Sequence, residues 1–425
     1  MSIKALKGFK DILPEEAAVW QRIEATARDI FHRFGFAEIK VPILEKTELF
    51  ARSIGEATDI VEKEMYSFTD RNGESVTMRP EGTASVLRAF IEHGLHVRQP
   101  VNRLYTIGPM FRHERPQKGR LRQFHQLSVE ALGSEHPRLD AEVMAMAALL
   151  LTELGLTASL EINSLGCPAC RPAFKESLVA YAKARVGEIC DDCVRRSDTN
   201  PLRVLDCKNE QCRIAFREAP SILDHLCADC RAHFAAVEEG LGALAIPYRV
   251  NPFMVRGLDY YSRTTFELLS GELGAQSAVG AGGRYDGLVA QLGGPALPGI
   301  GFAMGMERLV LLMQQAGEGQ AQLASTVDVY VAALGEAAGK AGFRLLHELR
   351  RKGVRAAMDH EGRSLKSQMK QAGRLQARYV FLLGEEELKR GELVVKEMAT
   401  GEQTTVALPG NTGAWCETVA GKIGL

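Results

Sequence analysis

The chain has no long apolar segment and almost no net charge. Its 425 residues include 52 Lys and Arg against 53 Asp and Glu, so the overall balance gives no indication of a nucleic-acid partner. The longest apolar run, at 143–151, is too short to span a bilayer and is typical of a core helix. The start, MSIKALKGFKDILPEEA, lacks the apolar centre of a secretory signal. We therefore expect a cytoplasmic protein without a membrane segment.

A disulfide framework is also not expected. The nine cysteines, an odd number in a large chain without a secretory signal, indicate a reducing compartment. The spacing C-x2-C-x19-C-x2-C, within the range of a tetrathiolate zinc site, joins Cys167, Cys170, Cys190 and Cys193. A second site would use Cys207, Cys212, Cys227 and Cys230. Structural Zn²⁺ and buried free thiols are both compatible with this pattern.

The first part of the chain predicts an α+β domain built on a mainly antiparallel sheet. Apolar residues at helical spacing predict helices at 15–34 and 139–154. Short strand-like segments with short loops between them favour antiparallel pairing. Their predicted ranges are 37–41, 65–69, 75–78, 103–111, 124–132, 250–253, 260–269 and 277–280. The cysteine-rich stretch at about 166–240 interrupts this pattern and predicts a helical insertion.

The last part of the chain predicts a separate α/β domain. Residues 318–325 are small and polar, which is typical of a linker, so we expect domains at 1–325 and 326–425. Beyond the linker, strands alternate with helices at 342–352 and 365–372, a pattern that predicts a small, mainly parallel sheet. The strands are predicted at 327–333, 354–358, 379–383, 393–398 and 404–408.

Residues 111–126, FRHERPQKGRLRQFHQ, form the most informative segment. Pro116 and Gly119 favour a turn, so the segment predicts strand, basic loop and strand. A solvated hairpin tip is the alternative, but it does not require Arg112, Glu114 and Phe124 on the strands themselves. Fixed guanidinium groups beside a flat aromatic ring suit a triphosphate attached to a planar base.

Two glycine-containing segments add to this pattern. Residues 299–309, GIGFAMGMERL, predict a strand followed by a helix beginning near Met304, with Arg308 in its first turns. Small residues allow close backbone approach, and a helix start favours anions, although a purely structural role is the alternative. Residues 281–288, AGGRYDGL, satisfy neither GxGxxG nor a P-loop. They predict a glycine-lined strand at the floor of a pocket.

Together, residues 111–126 and 299–309 resemble motifs 2 and 3 of the class II aminoacyl-tRNA synthetases. Pro42, in FGFAEIKVPILE, matches the proline of motif 1 at the dimer interface of that class. VRGLDYYSRTTFE at 255–267 and AGGRYDGL narrow the resemblance to bacterial-type histidyl-tRNA synthetases. The match covers essentially the whole chain. It implies a homodimer that activates L-histidine with ATP and Mg²⁺, transfers it to the 3′ end of tRNA(His), and binds the anticodon through its last domain.

The resemblance also assigns residues to the nucleotide. Arg112 is the expected contact of the α-phosphate and the histidine carboxylate. Arg256 is the expected fixed cation on the other side of that phosphate, and these two residues are the expected catalytic side chains. Phe124 and Arg308 would enclose the adenine. The remaining assignments are an adenine-edge contact for Glu114 and a terminal-phosphate contact for Arg120.

For histidine, the imidazole ring has two nitrogens, so a selective pocket needs polar partners for both. The resemblance places Glu130, Tyr261 and the adjacent Tyr260 at the ring. The segment MRPEGTAS, with Gln126, would hold the α-amino group through Glu81, Gly82 and Thr83. Such a pocket discriminates by about 10⁴–10⁵, which makes an editing domain unnecessary.

Two other classes of protein remain as alternatives. A histidine-sensing regulatory paralogue would keep the catalytic core but lack the last domain and several catalytic positions, whereas Arg112, Arg256 and Arg308 are all present here. A nucleic-acid-binding module would not explain a histidine pocket. Residues 344–378 contain ten Lys and Arg against three Asp and Glu, a surface that either is simply solvated or contacts phosphates of the tRNA. The loop at 115–122 is expected near the acceptor end, where the family recognises an extra 5′ guanosine.

Overall fold

In a computed structural model of the chain, the described residues are 3–55, 58, 60–117, 119–258, 260–272, 278–317, 327–409 and 414–423. The chain divides into two compact units, Met1–Gly319 and Gln320–Leu425. The predicted linker at 318–325 and the first residue of the predicted strand at 277–280 lie outside the described residues. None of the described helices combines the length and the apolar character needed to cross a membrane.

The first unit is organised around an eight-stranded sheet. Its internal strands are antiparallel to their neighbours, and a parallel strand is added at each edge, which confirms the predicted mainly antiparallel sheet. In spatial order the strands are Ala37–Glu38 (β1), Asn102–Phe111 (β5), Gln123–Leu132 (β6), Gly299–Gly305 (β11), Ala278–Arg284 (β10), Ser262–Leu269 (β9), Ser159–Ser164 (β7) and Tyr248–Val250 (β8).

The alternation of side chains along β6 separates the core from the open face of the sheet. Leu127, Val129 and Ala131 are fully buried in the main hydrophobic core. Because successive residues of a strand point to opposite faces, Gln126, Ser128 and Glu130 share the other face. This polar face is where a ligand would lie.

Two long helices cover the apolar face of the sheet. They are Pro14–Arg33 (α1) and Pro137–Glu153 (α5), and each begins with proline, which is pre-organised for a first turn. The predicted apolar stripe of α1 is buried, including Trp20, Ile23 and Phe31. The remaining helices around the sheet are Thr47–Ile54 (α2), Thr83–Glu92 (α3), Leu95–Arg98 (α4), Leu288–Gln291 (α10) and Met306–Gln315 (α11).

A small antiparallel sheet follows Pro42 in the chain. Its strands are Leu44–Lys46 (β2), Tyr66–Thr69 (β3) and Ser75–Met78 (β4), with β4 in the centre. A π-helical turn at Ile60–Glu64 precedes β3. The register places Leu44 and Phe68 on one face of this sheet, and both are about half exposed, at 47% and 49%.

The cysteine-rich segment is helical, as predicted. Its helices are Arg171–Lys183 (α6), Asp191–Thr199 (α7), Glu210–Ala215 (α8) and Ala228–Ala243 (α9), joined by short 3-10 turns. They enclose a small core of their own, in which Phe174, Leu178 and Ile222 pack beside the cysteines. The last helix, α9, packs against α5 and so attaches the insertion to the main sheet.

The second unit has the predicted alternating architecture. Its strands are, in spatial order, Ala356–Met358 (β13), Val329–Leu334 (β12), Tyr379–Gly384 (β14), Glu392–Glu397 (β15) and Gln403–Ala407 (β16). The first three are parallel and the last two antiparallel. The helices are Glu336–Arg351 (α12), Leu365–Arg374 (α13), Glu385–Arg390 (α14) and Trp415–Ile423 (α15).

Some predicted boundaries are wrong. The strand expected at 250–253 ends at Val250, because the chain turns at the following Asn-Pro. The helix expected near Met304 begins at Met306, since β11 continues to Gly305 through its pairing with β6. The helix α3 was not predicted because its buried residues, Ala84, Ser85, Val86, Leu87, Ala89 and Phe90, lie on nearly all sides and give no helical period.

Candidate active site

A cavity of about 530 Å³ lies on the polar face of the large sheet. It is bordered by the ends of β5 and β6, the glycine-rich strands β10 and β11, and the start of α3. Nearly all the predicted site residues line it: Glu81, Gly82, Thr83, Arg112, Glu114, Arg120, Phe124, Gln126, Arg256, Tyr260, Tyr261 and Arg308. Glu130 lies directly behind the lining, hydrogen-bonded to Thr83. Segments far apart in the sequence therefore meet at one place.

Two arginines face this cavity from different elements. Arg112, just after β5, donates from Nε to the Pro80 carbonyl at 2.8 Å and stacks on Phe124, 5.3 Å from the ring centroid. Arg256 forms an ion pair with Glu267, and its Nε is buried without a hydrogen-bond partner among the described residues. Burial lowers the pKa of Arg112, and the charge of Arg256 lowers it further. An anion between them would relieve this repulsion.

The end of the cavity that contains Arg120 and Arg308 is also strongly basic. Arg308, in the first turn of α11, donates to the Ala278 carbonyl. Burial lowers its pKa, and the charges of Arg120 and Arg112 lower it further. Arg120 forms a close ion pair with Glu114, whose side chain is only 7% exposed. The structure thus pairs two residues for which the sequence predicted separate contacts with ATP.

The opposite end of the cavity contains two buried carboxyl groups. Glu81 accepts hydrogen bonds from the backbone N–H groups of Thr83 and Ala84, at 2.6 and 2.9 Å, and so caps α3. Glu130 accepts from the Thr83 hydroxyl at 2.6 Å and from the Tyr285 hydroxyl. Burial raises the pKa of both acids, that of Glu130 to about 8.

The glycine at position 301 makes room for Glu130. Gly301 lies opposite Glu130 in the pairing of β11 with β6. A Cβ atom there would overlap the Glu130 carboxyl group and the Val129 carbonyl oxygen. The glycine-rich strand therefore has a steric role: it lets a buried carboxyl lie flat against the sheet.

Two further polar groups on β6 have no partner in the part of the chain that the structure describes. Gln126 Oε1 and Ser128 Oγ are buried, and both residues line the cavity. Buried polar atoms are nearly always hydrogen-bonded in native proteins. Their position indicates a polar ligand at this end of the cavity.

Sequence reasoning missed several lining residues. Tyr285 and Glu267 lie in segments that were singled out, AGGRYDGL and VRGLDYYSRTTFE, but their partners become visible only in the folded chain. Ser128 is two positions from both Gln126 and Glu130, so the period of a strand would have found it. Asp206 and Lys208 reach the cavity from the insertion, and nothing in the sequence indicates this.

The cysteines form two groups, and the predicted grouping is wrong. The sulfur atoms of Cys167 and Cys170 do not meet those of Cys190 and Cys193, because the chain returns to the start of α6 only at Cys227, just before α9, where the Cys227 N–H donates to Cys170 Sγ. The observed groups are Cys167, Cys170, Cys227 and Cys230, and Cys190, Cys193, Cys207 and Cys212. Within each group all four sulfur atoms lie within 4.8 Å of one another.

Comparison with known proteins relates the chain to one enzyme family. A family model described as histidyl-tRNA synthetase matches residues 8–309, and one described as an anticodon binding domain matches 328–409. A histidine–tRNA ligase of Desulfotalea psychrophila is 60% identical over 409 residues, 96% of this chain and 94% of that protein. The corresponding protein of Trichlorobacter lovleyi is 56% identical over 423 residues, 99% and 100% of the two chains. The crystal structure of apo S. aureus histidyl-tRNA synthetase superposes with a TM-score of 0.82 at 38% identity, covering 98% of this chain and 100% of that one.

Proposed function

The chain belongs to the histidyl-tRNA synthetase family, and from this premise we propose which of its residues carry out the reaction. The enzyme is a class II histidine–tRNA ligase: it uses ATP to activate L-histidine and joins the histidyl group to tRNA(His). ATP, histidine and tRNA are its substrates, and Mg²⁺ enters with ATP. The single observation that carries the residue assignment is that Arg112 and Arg256 line one cavity.

In the first step, a carboxylate oxygen of histidine attacks the α-phosphorus of ATP and pyrophosphate leaves. This reaction needs in-line positioning and compensation of negative charge more than covalent help. Arg112 and Arg256 are the proposed catalytic residues, because attraction of both to a phosphate between them would offset their mutual repulsion. The ion pair with Glu267 and the bond to Pro80 hold the two guanidinium groups in place before the substrate arrives.

The adenine is proposed to lie between Phe124 and Arg308, an aromatic face on one side and a guanidinium on the other. Glu114 would then accept from the exocyclic amine of the base. Arg120 would leave its ion pair with Glu114 and bind the terminal phosphates of ATP instead. The basic character of this end of the cavity supports the assignment, since burial and neighbouring positive charge lower the pKa values of both Arg308 and Arg120.

The histidine side chain is proposed to bind at the opposite end. Glu130, Tyr261 and Tyr260 offer polar atoms to the two ring nitrogens, and Tyr285 fixes the Glu130 carboxyl. Glu81, Thr83 and Gln126, at the start of α3 and on β6, would hold the α-amino group, with Gly82 leaving space between them. A ligand without the second nitrogen leaves buried polar groups unpaired, which is the physical basis for selecting histidine.

The proposed domain assignment follows the family. Residues 1–325 would form the catalytic domain, with the helical insertion at about 166–240, and residues 326–425 the anticodon-binding domain. The basic residues at 344–378 lie on α12, on α13, between these helices and, for Arg378, just after α13, and they would contact tRNA phosphates. A structural Zn²⁺ in the insertion also belongs to this proposal, with the cysteine groups that the fold brings together.

We further infer that the enzyme acts in the cytoplasm as a homodimer with Pro42 at the interface. Three apolar side chains near Pro42 are markedly exposed: Ile43 at 41%, Leu44 at 47% and Phe68 at 49%. Arg79 holds the Pro42 segment by donating to the Val41 carbonyl at 2.9 Å. Clustered exposed apolar residues on a small sheet are typical of a surface that a second subunit covers.

Histidine-dependent exchange of labelled pyrophosphate into ATP tests the proposed function. An active ligase catalyses the exchange with histidine and not with other amino acids. A histidine-sensing regulatory protein would bind histidine without exchange, and a nucleic-acid-binding module would do neither. Charging of tRNA(His) transcripts with and without the 5′ guanosine then tests the second step.

A further inference from the structure

The sulfur atoms in the insertion have the spacing of metal ligands. Cys167 Sγ lies 3.6 Å from Cys170 Sγ and 3.9 Å from Cys227 Sγ, and Cys190 Sγ lies 3.8 Å from Cys207 Sγ. Four sulfurs bound tetrahedrally at about 2.3 Å from one Zn²⁺ are about 3.8 Å apart. A disulfide requires about 2.05 Å instead. The distances therefore match the edges of a tetrathiolate tetrahedron.

In each group a backbone N–H group donates to a sulfur atom. In each group two cysteines are buried and two are half-buried. The backbone N–H of Cys227 donates to Cys170 Sγ at 3.2 Å, and that of Cys190 donates to Cys212 Sγ at 3.1 Å. Cys170, Cys190 and Cys227 also immediately precede the helices α6, α7 and α9, whose N-terminal ends stabilise negative charge.

We propose that the insertion binds two Zn²⁺ ions in nested sites. The outer site is formed by Cys167, Cys170, Cys227 and Cys230, and the inner site by Cys190, Cys193, Cys207 and Cys212. The outer site joins the two ends of the insertion, and the inner site closes the loop between them. The core of the insertion is small, and small modules commonly depend on a metal for stability.

Both sites are adjacent to residues that contact the catalytic cavity. The inner ligand Cys207 stands between Asp206 and Lys208, which line the cavity, and Arg203 lies 3.5 Å from the carbonyl of Arg256. Next to the outer ligand Cys170, Arg171 donates to the carbonyl of Tyr261. The two ions thus fix the segments that border the proposed catalytic and histidine-binding residues. This link to catalysis rests on the proposed function, whereas the metal sites do not.

Metal analysis of the full-length enzyme tests the proposal. The purified protein, dialysed against a chelator, should retain two zinc ions per chain by mass spectrometry. On the folded wild-type enzyme, titration with an organomercurial should release both ions as eight thiols react. No zinc with free thiols or disulfides, one zinc per chain, or iron in place of zinc would each overturn the proposal.

Pairs of substitutions test the nesting. Cys167→Ser with Cys227→Ser, or Cys190→Ser with Cys207→Ser, should each remove one ion and leave the other. Cys167→Ser with Cys190→Ser should remove both ions. Pairing in chain order, by contrast, would leave one ion in this last variant and none in the first. Cys416→Ser, a buried cysteine of the second unit, is the control and should retain two ions.

A separate measurement tests whether the inner metal ion supports catalysis. Loss of the inner ion in Cys190→Ser with Cys207→Ser should lower histidine-dependent pyrophosphate exchange at least tenfold, while Cys416→Ser leaves it unchanged. If the wild-type enzyme holds two ions but shows no exchange, the proposed function fails and the metal sites stand. If exchange is normal in a variant that has lost its inner ion, the coupling is wrong.

Discussion

The Tyr285 hydroxyl donates a hydrogen bond to the carboxyl group of Glu130, and both residues are only about 1% exposed. The bond joins the strand β6 to the end of β10 and closes the cavity on the side proposed for the imidazole ring. Because the carboxyl is buried, its pKa rises to about 8. A buried acid with a raised pKa has measurable consequences for stability.

We predict that Glu130→Gln changes the pH dependence of unfolding. An exposed Glu loses its proton near pH 4.3, so between about pH 4.3 and pH 8 the unfolded chain is ionised at this position while the folded chain keeps its proton. In the wild type, Glu130 therefore lowers stability progressively over this window, and the variant lacks this contribution. The difference in melting temperature, variant minus wild type, should increase from pH 5 to pH 8.5 in thermal scans. The exposed Glu188→Gln is the control, and a difference that is constant with pH would contradict the prediction.

Arg256→His should remove most of the first step. The substitution withdraws a fixed cation from the transition state, an effect expected to reduce pyrophosphate exchange by about 10²–10³. Far-ultraviolet circular dichroism and the melting temperature should stay close to those of the wild type. Arg249→His, at an exposed position of the edge strand β8, provides a matched control with normal exchange. Normal exchange in Arg256→His itself would show that this guanidinium is not catalytic.

Gly301→Ala should damage both stability and histidine binding. The added methyl group overlaps the Glu130 carboxyl and the backbone of β6, and such overpacking costs about 1–3 kcal/mol of unfolding free energy. Denaturant unfolding and the KM for histidine in the exchange assay measure the two effects. At Gly287 a Cβ atom meets nothing within 4 Å, so Gly287→Ala should behave as the wild type. Equal behaviour of the two variants would rule out a steric role for Gly301.

Phe124→Ala should weaken ATP binding selectively. Loss of a base-stacking ring costs about 1–3 kcal/mol, which corresponds to a rise of about tenfold or more in the KM for ATP. The KM for histidine should change much less, since Phe124 lies at the other end of the cavity. Phe343→Ala, an exposed aromatic of the second unit, should affect neither constant. A rise confined to the KM for histidine would exclude the adenine assignment.

Leu44→Glu combined with Phe68→Glu should dissociate the proposed dimer. The two side chains share one face of the small sheet, and placing charge on a covered apolar surface leaves carboxylates without solvent. Sedimentation velocity should show the wild type as a dimer and the variant as a monomer. Val97→Glu changes a residue that is 80% exposed elsewhere and should leave the dimer intact. A wild-type monomer would refute the interface.

The sequence predicted those parts of the site that depend on local chemistry. Arg112, just after β5, and Phe124, on β6, flank a turn that Pro116 and Gly119 specify, although the sequence predicted Arg112 on the strand itself. Arg308 lies in the first turn of a helix that follows a glycine-rich strand. Alternation and helical periodicity likewise located most strands of both units. These features are encoded within short windows of the chain, so the local sequence pattern is sufficient to predict them.

Features that depend on the path of the chain were not predictable in this way. Each C-x2-C pair is local, but which pair meets which depends on how α6 and α9 pack, and the sequential grouping was accordingly wrong. The ion pair of Arg256 with Glu267 and the approach of Lys208 to the cavity also join segments that only tertiary packing brings together. Such contacts have no signal in a single sequence.

The nested order of the cysteines predicts which of the two proposed metal sites is completed first during synthesis. The inner ligands lie within 190–212, whereas the outer ones span 167–230, so the inner loop is complete earlier as the polypeptide leaves the ribosome. Closing the shorter loop also costs less chain entropy. The growing chain can therefore close the proposed inner site before its last outer ligands have been made, while the remaining strands of the sheet are still being translated.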